Sequence, residues 1–385
     1  MKILMVYDYL SEVGGIERIM ATHAKWLKES EHDVKMAFNF VNEETAKYDF
    51  FKGTEIVDIC AFKFGGEAFR VFSALFFNKL KDYDSEVIIS YSFPSLFTTR
   101  RLKGRKIFHY LPMEFIYFPM KKRWDWANDS KRKMAFFASL FLGPVLKILD
   151  KIWISDKLVL SLSKFTQREV KERYSKASVI TYAPLGNVFK PSEDCRETLK
   201  KYKINKKFLL TAGRIIPDKR TDWLIEIFSK LKDKNLEFIV AGQIEENHKK
   251  ELIALARKLG VLDRIKLIGL VTQPELIDLY TACEAFIFAS VKEAFGLVPV
   301  EAMACGVPVI AWKDGAGPDE YVIDNVNGYF ANPYDLNDFV QKLEKLLGEN
   351  FKKKNKSKII KSIEIFTESK QKKIFLDAVV KEKKS

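Results

Sequence analysis

KEAFGLVPVEAMACGVPVIAW, residues 292–312, decides how the whole chain is read. Just before it, EAFIFAS (284–290) is an apolar run that predicts a strand ending at Ser290. A short loop then carries Glu293, Ala294, Phe295 and Gly296. A helix is expected from about Leu297, with Pro299 in its first turn, where a missing N–H costs little. Gly306 ends that helix and VPVIAW (307–312) starts the next strand. Strand, loop, helix and strand in this order are the unit of a parallel α/β sheet, whose carboxyl edge is where such folds bind ligands. Backbone N–H groups at the helix start favour anions and oxygen-rich ligands. Glu293 and Glu301 are eight residues apart, one in the loop and one early in the helix. Carboxylates accept paired hydrogen bonds from sugar and ribose hydroxyls. Taken singly, one could equally be solvated and the other offset the helix dipole.

The same rhythm extends to both sides. FLLTAGR (208–214), EFIVAGQ (237–243) and RIKLIGLV (264–271) predict strands. TDWLIEIFSKLK (221–232) and a segment through LIALARKLG (252–260) predict the helices between them. Asn327-Gly328 is a turn signal, and YDLNDFVQKLEKLLG (334–348) is an amphipathic helix. Towards the start, KILMVYD (2–8), DVKMAFNF (33–40) and EVIIS (86–90) predict strands. Ile16, Ile19, Met20, Ala24, Trp26 and Leu27 form a helical stripe after Gly14 and Gly15. TYAPLGNVFKPSEDC (181–195) collects Pro184, Gly186 and Pro191 between patterned segments and marks the domain boundary. From Thr367, Ile374, Phe375, Val379 and Val380 in a polar background predict a terminal helix packed on something. The expected fold is therefore α/β, with two Rossmann-like domains.

Composition agrees: 385 residues are too many for one ordinary core. With 47% hydrophobic and 30% charged residues the chain is not of the disordered class. The formal charge of +14 suits nucleotide phosphates, a membrane surface or nucleic acid, and equally a lysine-coated surface. Cys60, Cys195, Cys283 and Cys305 lack metal-ligand spacing and read as reduced cytoplasmic thiols. The first ten residues read as a strand, not a leader. The longest apolar stretch, 134–149, is broken by Gly143 and Pro144 and holds Lys147, so no membrane-spanning segment is expected.

Two more clusters carry chemistry. In TAGRIIPDKRTDWLIEIF (211–228), Arg214 ends a predicted strand and Lys219 precedes a helix. Two fixed cations there suit a diphosphate leaving group, whose charge grows as its bond to the sugar breaks. At the N-terminus, Gly14-Gly15 before a helix lets the backbone approach a phosphate or sugar closely. Asp82-Tyr83-Asp84 imitates a metal motif but precedes its strand, and reads as a surface loop. From Arg100 to Trp153, Arg100, Arg101, Arg105, Lys106, Lys121, Lys122, Arg123, Arg132 and Lys133 interleave with Trp124 and Trp126, and AFFASLFLGPVLKIL follows. This suits either an interface with anionic lipid or a packed domain core with solvated cations.

Glu293-x7-Glu301, with its flanking Phe-Gly-Leu and Glu-Ala-Met-Ala-Cys-Gly-Val-Pro-Val, resembles the signature of the family 4 retaining glycosyltransferases of GT-B fold. Gly213-Arg214-x4-Lys219 is similar to that family's diphosphate-binding pair, and Gly14-Gly15 to its glycine loop. GAGPDE (315–320) is similar to its Gly-Gly-x-Pro-Glu loop, with Ala316 and Asp319 departing from the pattern. His109, in KIFHYLPMEFIYFPM, resembles the His-x-x-Pro-Met segment of mannosyltransferase-like members. The resemblance is strong over residues 163–348 and patchier before.

The resemblance implies an acceptor domain, 1–185, joined by a terminal helix of about 367–385 that crosses back to it, and a donor domain, 186–366, the two facing a cleft. It implies transfer of a hexose, with retention, from a nucleotide-diphosphate sugar, with GDP-mannose suggested by the His109 segment. The acceptor would be a glycan or a polyprenyl-linked molecule. Glu293 would hold sugar hydroxyls and Glu301 the ribose. Gly14, Gly15, Gly213, Gly242, Ala294, Phe295, Gly296 and Leu297 would line the donor, and Arg214 and Lys219 would neutralise the diphosphate. His109 would face the acceptor, contacting the sugar, orienting the acceptor or relaying a proton. No cofactor, no metal and no nucleic acid are expected, and the place is the cytoplasm or the inner face of a membrane. A nucleotide-sugar epimerase and a basic nucleic-acid-binding protein are the alternatives.

Overall fold

The computed structural model describes residues 1–10, 14–62, 73, 77–80, 83–110 and 130–380. The chain divides into two compact units: Met1–Tyr182 together with Gln371–Ser385, and Ala183–Lys370.

Unit 1 is built on a sheet of seven strands, ordered β3-β2-β1-β4-β5-β6-β7. These are β1 (Lys2–Leu10), β2 (Asp33–Val41), β3 (Glu55–Asp58), β4 (Val87–Ser90), β5 (Arg105–Tyr110), β6 (Leu158–Ser161) and β7 (Val179–Ile180). Every pairing is parallel, which explains why β1 is a continuous apolar run rather than an alternating one. Helix α1 (Gly15–Glu29) buries Ile19, Met20, Ala24, Trp26 and Leu27, and the Glu17 carboxylate accepts from the Gly14 N–H at 2.8 Å. Helix α2 (Phe93–Thr98) opens with Ser92 and Ser95 capping each other's backbone.

Helix α3 (Ser130–Ile154) runs without interruption through Gly143 and Pro144, where the sequence predicted a break. A proline removes one N–H from this long helix. Its ring usually clashes with the Cβ of the residue before it, and Gly143 has none. Helix α4 (Lys164–Tyr174) follows β6.

Unit 2 carries six parallel strands, ordered β10-β9-β8-β11-β12-β13. They are β8 (Phe208–Ala212), β9 (Glu237–Ala241), β10 (Ile265–Gly269), β11 (Ala285–Ile287), β12 (Val309–Trp312) and β13 (Gly328–Ala331). Helices α5 (Thr221–Lys230), α6 (Glu246–Lys258), α7 (Gln273–Ala282), α8 (Leu297–Ala304), α9 (Leu336–Gly348) and α10 (Phe351–Ser362) pack around it. β8 stops two residues before Arg214, because Gly213 turns to φ +120°. β13 has no counterpart in the sequence reading, where Asn327-Gly328 marked only a turn.

The final helix, α11 (Glu368–Val380), belongs to unit 1. Phe375 is fully buried and stacks on His23 at 3.8 Å and 15°. The Arg105 guanidinium donates to the carbonyls of Val379 (2.8 Å) and Ala378 (3.0 Å), capping the helix where its carbonyls lack partners.

Candidate functional site

In unit 2 the connections run outward in opposite directions from β8 and β11, which lie side by side. Ligands of open parallel sheets bind at the carboxyl ends of the strands at such a switch point. The loop after β8 carries Arg214 and Lys219, and the loop after β11 carries Glu293 and Gly296. The Lys219 Nζ forms an ion pair with Glu293 Oε2, so residues 74 positions apart meet where that rule locates a ligand. Both side chains are partly exposed. Arg214 is exposed on the same loop as Lys219.

Close backbone contacts hold these loops. A Cβ on Gly242, which follows β9 with φ +136°, would lie 1.7 Å from the Gly213 carbonyl oxygen. The Gly213 N–H donates to Ala241 at 3.0 Å and the Gly242 N–H to Gly269 at 2.7 Å, so the strand ends stay in register past the sheet. The Gly317 N–H donates to the Glu293 carbonyl at 2.8 Å, and a Cβ there would come within 2.3 Å of the Phe295 carbonyl. Only glycine lets the loops after β11 and β12 approach this closely.

Phe295 is buried, with its ring edge-on to Tyr321 (5.7 Å) and Phe366 (5.2 Å). Gly296 starts α8 and Leu297 is its first residue; no side chain caps the helix and its first turn holds no acid. Its amides are thus available to an anion. Glu301 is on the buried side of α8, where its carboxylate accepts from the Tyr280 hydroxyl at 3.3 Å. Ala294 lies in the loop beside Glu293.

Asp314 holds the loops after β11 and β12 together, and no spacing in the sequence marked it. Its carboxylate accepts from the N–H of Lys292 (2.8 Å), the N–H of Ala316 (3.2 Å) and the hydroxyl of Tyr334 (3.1 Å). Burial and this carboxylate push the Tyr334 hydroxyl up to about 12. Ser290 Oγ and the Tyr321 hydroxyl are buried without a hydrogen-bond partner at the same edge. Burial, and after it the charge of Glu293, raises Tyr321 well above the usual phenol range. Only Ser290 ends a stretch the sequence reading had marked.

In unit 1, Gly14 and Gly15 stand at the start of α1, as the sequence suggested. His109 sits near the end of β5 and is fully buried, stacked on Tyr91 at 5.0 Å, with His23 at 5.6 Å. Neither of its nitrogens has a partner, and burial lowers its pKa to about 3. Burial thus favours the neutral ring at this position.

In the basic-aromatic stretch, Lys121, Lys122, Arg123, Trp124 and Trp126 lie outside the described residues. Arg132 and Lys133 fall in α3, their side chains outside the description. Arg100 lies over the Phe97 ring at 3.7 Å, Arg105 caps α11, and the Lys106 ammonium donates to the Arg100 carbonyl. Trp153 packs on Phe97 at 4.5 Å. Of Asp82-Tyr83-Asp84, the first is outside the description and the last is an exposed partner of Lys2. Among the described residues no group of three or more His, Cys, Asp or Glu could hold a metal ion.

Residues 194–366, nearly all of unit 2, match the family described as Glycosyl transferases group 1. Unit 2 is thus similar to the glycosyl transferases of this group, and each unit is a parallel-sheet Rossmann-like domain of the kind found in GT-B proteins. An uncharacterised glycosyltransferase of Methanocaldococcus jannaschii is 30% identical over 211 residues, covering 52% of this chain and 55% of that protein. The GPI3 subunit of phosphatidylinositol N-acetylglucosaminyltransferase from Saccharomyces cerevisiae is 28% identical over 181 residues, covering 44% of this chain and 37% of that protein. The matches thus span about half or less of these relatives' length. Among solved structures, Anabaena HepE in complex with UDP and glucose superposes with a TM-score of 0.75 at 18% identity, covering 97% of both chains.

Proposed function

We propose that the chain transfers a hexose from a nucleoside-diphosphate sugar to a glycan or polyprenyl-linked acceptor, with retention of anomeric configuration. The observation that carries this reading is the Lys219–Glu293 ion pair at the β8/β11 switch point, beside the uncapped start of α8. A donor entering here exchanges one partner for two: the diphosphate takes Lys219 and the sugar hydroxyls take Glu293. Arg214 adds a second cation, and Gly213, Gly242, Ala294, Phe295, Gly296 and Leu297 shape the floor. Glu301, held by Tyr280, is the ribose-side carboxylate of this reading.

The bond from the anomeric carbon to the diphosphate oxygen breaks while the acceptor oxygen bonds to the same face. The acceptor proton passes to the departing diphosphate oxygen. Positive charge aimed at the growing negative charge lowers the barrier, and Arg214 and Lys219 supply it. The mechanism needs no side-chain nucleophile and no metal ion. The His109 segment suggests GDP-mannose, and the UDP in the HepE complex makes UDP-sugars the other donors to test.

The test is a panel of UDP-, GDP- and ADP-sugars, scored for binding and slow hydrolysis, with wild type beside Glu293→Ala and Arg214→Ala. One donor should bind, each substitution should lower turnover by about 100-fold, and EDTA should leave the rate unchanged. Equal behaviour of wild type and both variants would overturn the assignment. A polyprenyl-linked acceptor would bring the enzyme to the inner face of a membrane.

A further inference from the structure

Among its described side chains, helix α3 (Ser130–Ile154) buries one face and exposes an apolar stripe on another. Phe136, Asp150 and Ile154 are buried, and the Asp150 carboxylate accepts from the α4 hydroxyl of Tyr174 at 2.5 Å. On the opposite side Phe137, Val145, Ile148 and Ile152 are 52%, 54%, 61% and 58% exposed. At 3.6 residues per turn these four fall within an arc of ~80°. Isolated exposed apolar residues need no explanation, but a stripe along one helix does. These four are among the few large apolar side chains of unit 1 that are more than half exposed.

An exposed cation, Lys151, borders the stripe, and the half-buried Lys147 lies beyond it towards the buried face. The first turn of the helix reads Ser-Lys-Arg-Lys, residues 130–133. Among the described residues no helix is long and apolar enough to cross a membrane. An apolar stripe with a lysine on its flank, on a helix that does not span, has the character of one lying in a bilayer interface. Its cation then meets anionic headgroups. The chain's formal charge of +14 adds to that attraction.

We propose that the exposed face of α3 is the surface by which this protein lies on an anionic membrane. Phe137, Val145, Ile148 and Ile152 enter the acyl boundary, while Lys151 sits at the headgroups. This deepens the reading of a lipid-linked acceptor and rests on it for its biological purpose, although the surface itself can be tested without it.

The experiment is co-sedimentation of the full chain with vesicles of phosphatidylcholine, alone or with about a quarter phosphatidylglycerol. Wild type should bind the anionic vesicles and little of the neutral ones, less so as salt rises. Val145→Ser/Ile148→Ser/Ile152→Ser should lower binding roughly tenfold or more. Its exposed positions should leave the circular dichroism spectrum unchanged. Should the triple variant misfold, Lys151→Glu provides the second reading, an expected loss of anionic preference with the fold intact.

Wild type left in the supernatant with both vesicles overturns the proposal, as does a folded triple variant that binds like wild type. A wild-type oligomer that the triple variant breaks apart also overturns it, and makes the face a contact between copies. Nucleotide-sugar titration without vesicles separates the two readings. Membrane binding without donor binding keeps this surface and removes the transferase; donor binding without membrane binding does the reverse.

Discussion

Gly242 shows how little freedom the site allows a single residue. Its φ of +136° is a region that side chains rarely adopt, and the Gly213 carbonyl occupies the place of a Cβ. Gly242→Ala should destabilise unit 2 by about 3 kcal/mol or more. Gly260→Ala, where φ is +67° and no atom lies within 4 Å, should lose only about 1 kcal/mol. Urea unfolding of both would check this, and equal losses would mean that the loop relaxes around the new methyl group.

Asp8, near the end of β1, makes a claim about pH. Burial raises its carboxyl from 3.8 to about 7, against Ser92 and the Ser95 backbone, which hydrogen-bond it. A raised folded pKa favours the protonated form. The contribution is therefore complete below the unfolded value and lost as pH rises from about 4 through 7. Asp8→Asn keeps the shape and removes the titration. The stability of wild type relative to this variant should fall between about pH 4 and 8, by on the order of 4 kcal/mol. Parallel pH curves would show that the carboxyl is solvated.

Among elements, α11 is the one whose contacts periodicity alone could not settle. Ile374, Phe375, Val379 and Val380 showed that it packs on something, but not that Phe375 lies on His23 or that Arg105 caps the helix end. Phe375→Ala removes a fully buried ring and should destabilise unit 1 by about 3–5 kcal/mol. Unit 2 should be unaffected, so thermal unfolding should resolve an early transition that nucleotide sugar does not shift. A single transition moved by the donor would mean that the two units unfold as one. The strands of unit 2 were legible because parallel strands buried on both faces are plain apolar runs. β13 was not, since GYFA is short and begins at a turn signal. α3 was misread because proline and glycine together usually end a helix, whereas here the glycine makes room for the proline.

At the scale of the molecule, two α/β units were readable from periodicity. The site was readable only in part. Glu293, Arg214 and Lys219 stand out because charged residues at strand ends break an apolar pattern. Asp314 and Tyr321 do not, because their roles depend on loops that meet only in three dimensions. His109 stood out by its segment, and the segment gave no sign of how deeply β5 buries it.

Unit 1 is discontinuous: it lacks its last helix until residues 371–380 exist, whereas unit 2 is a single uninterrupted stretch between the two pieces. On a translating ribosome the second unit therefore reaches completion first. Counted from Tyr182, the Trp26 and His23 side of α1 waits without Phe375 for roughly 10–40 s at about 5–20 residues per second. During that interval the nascent first unit presents an aromatic surface that a chaperone, or a neighbouring nascent chain, can reach before the molecule's own C-terminus does.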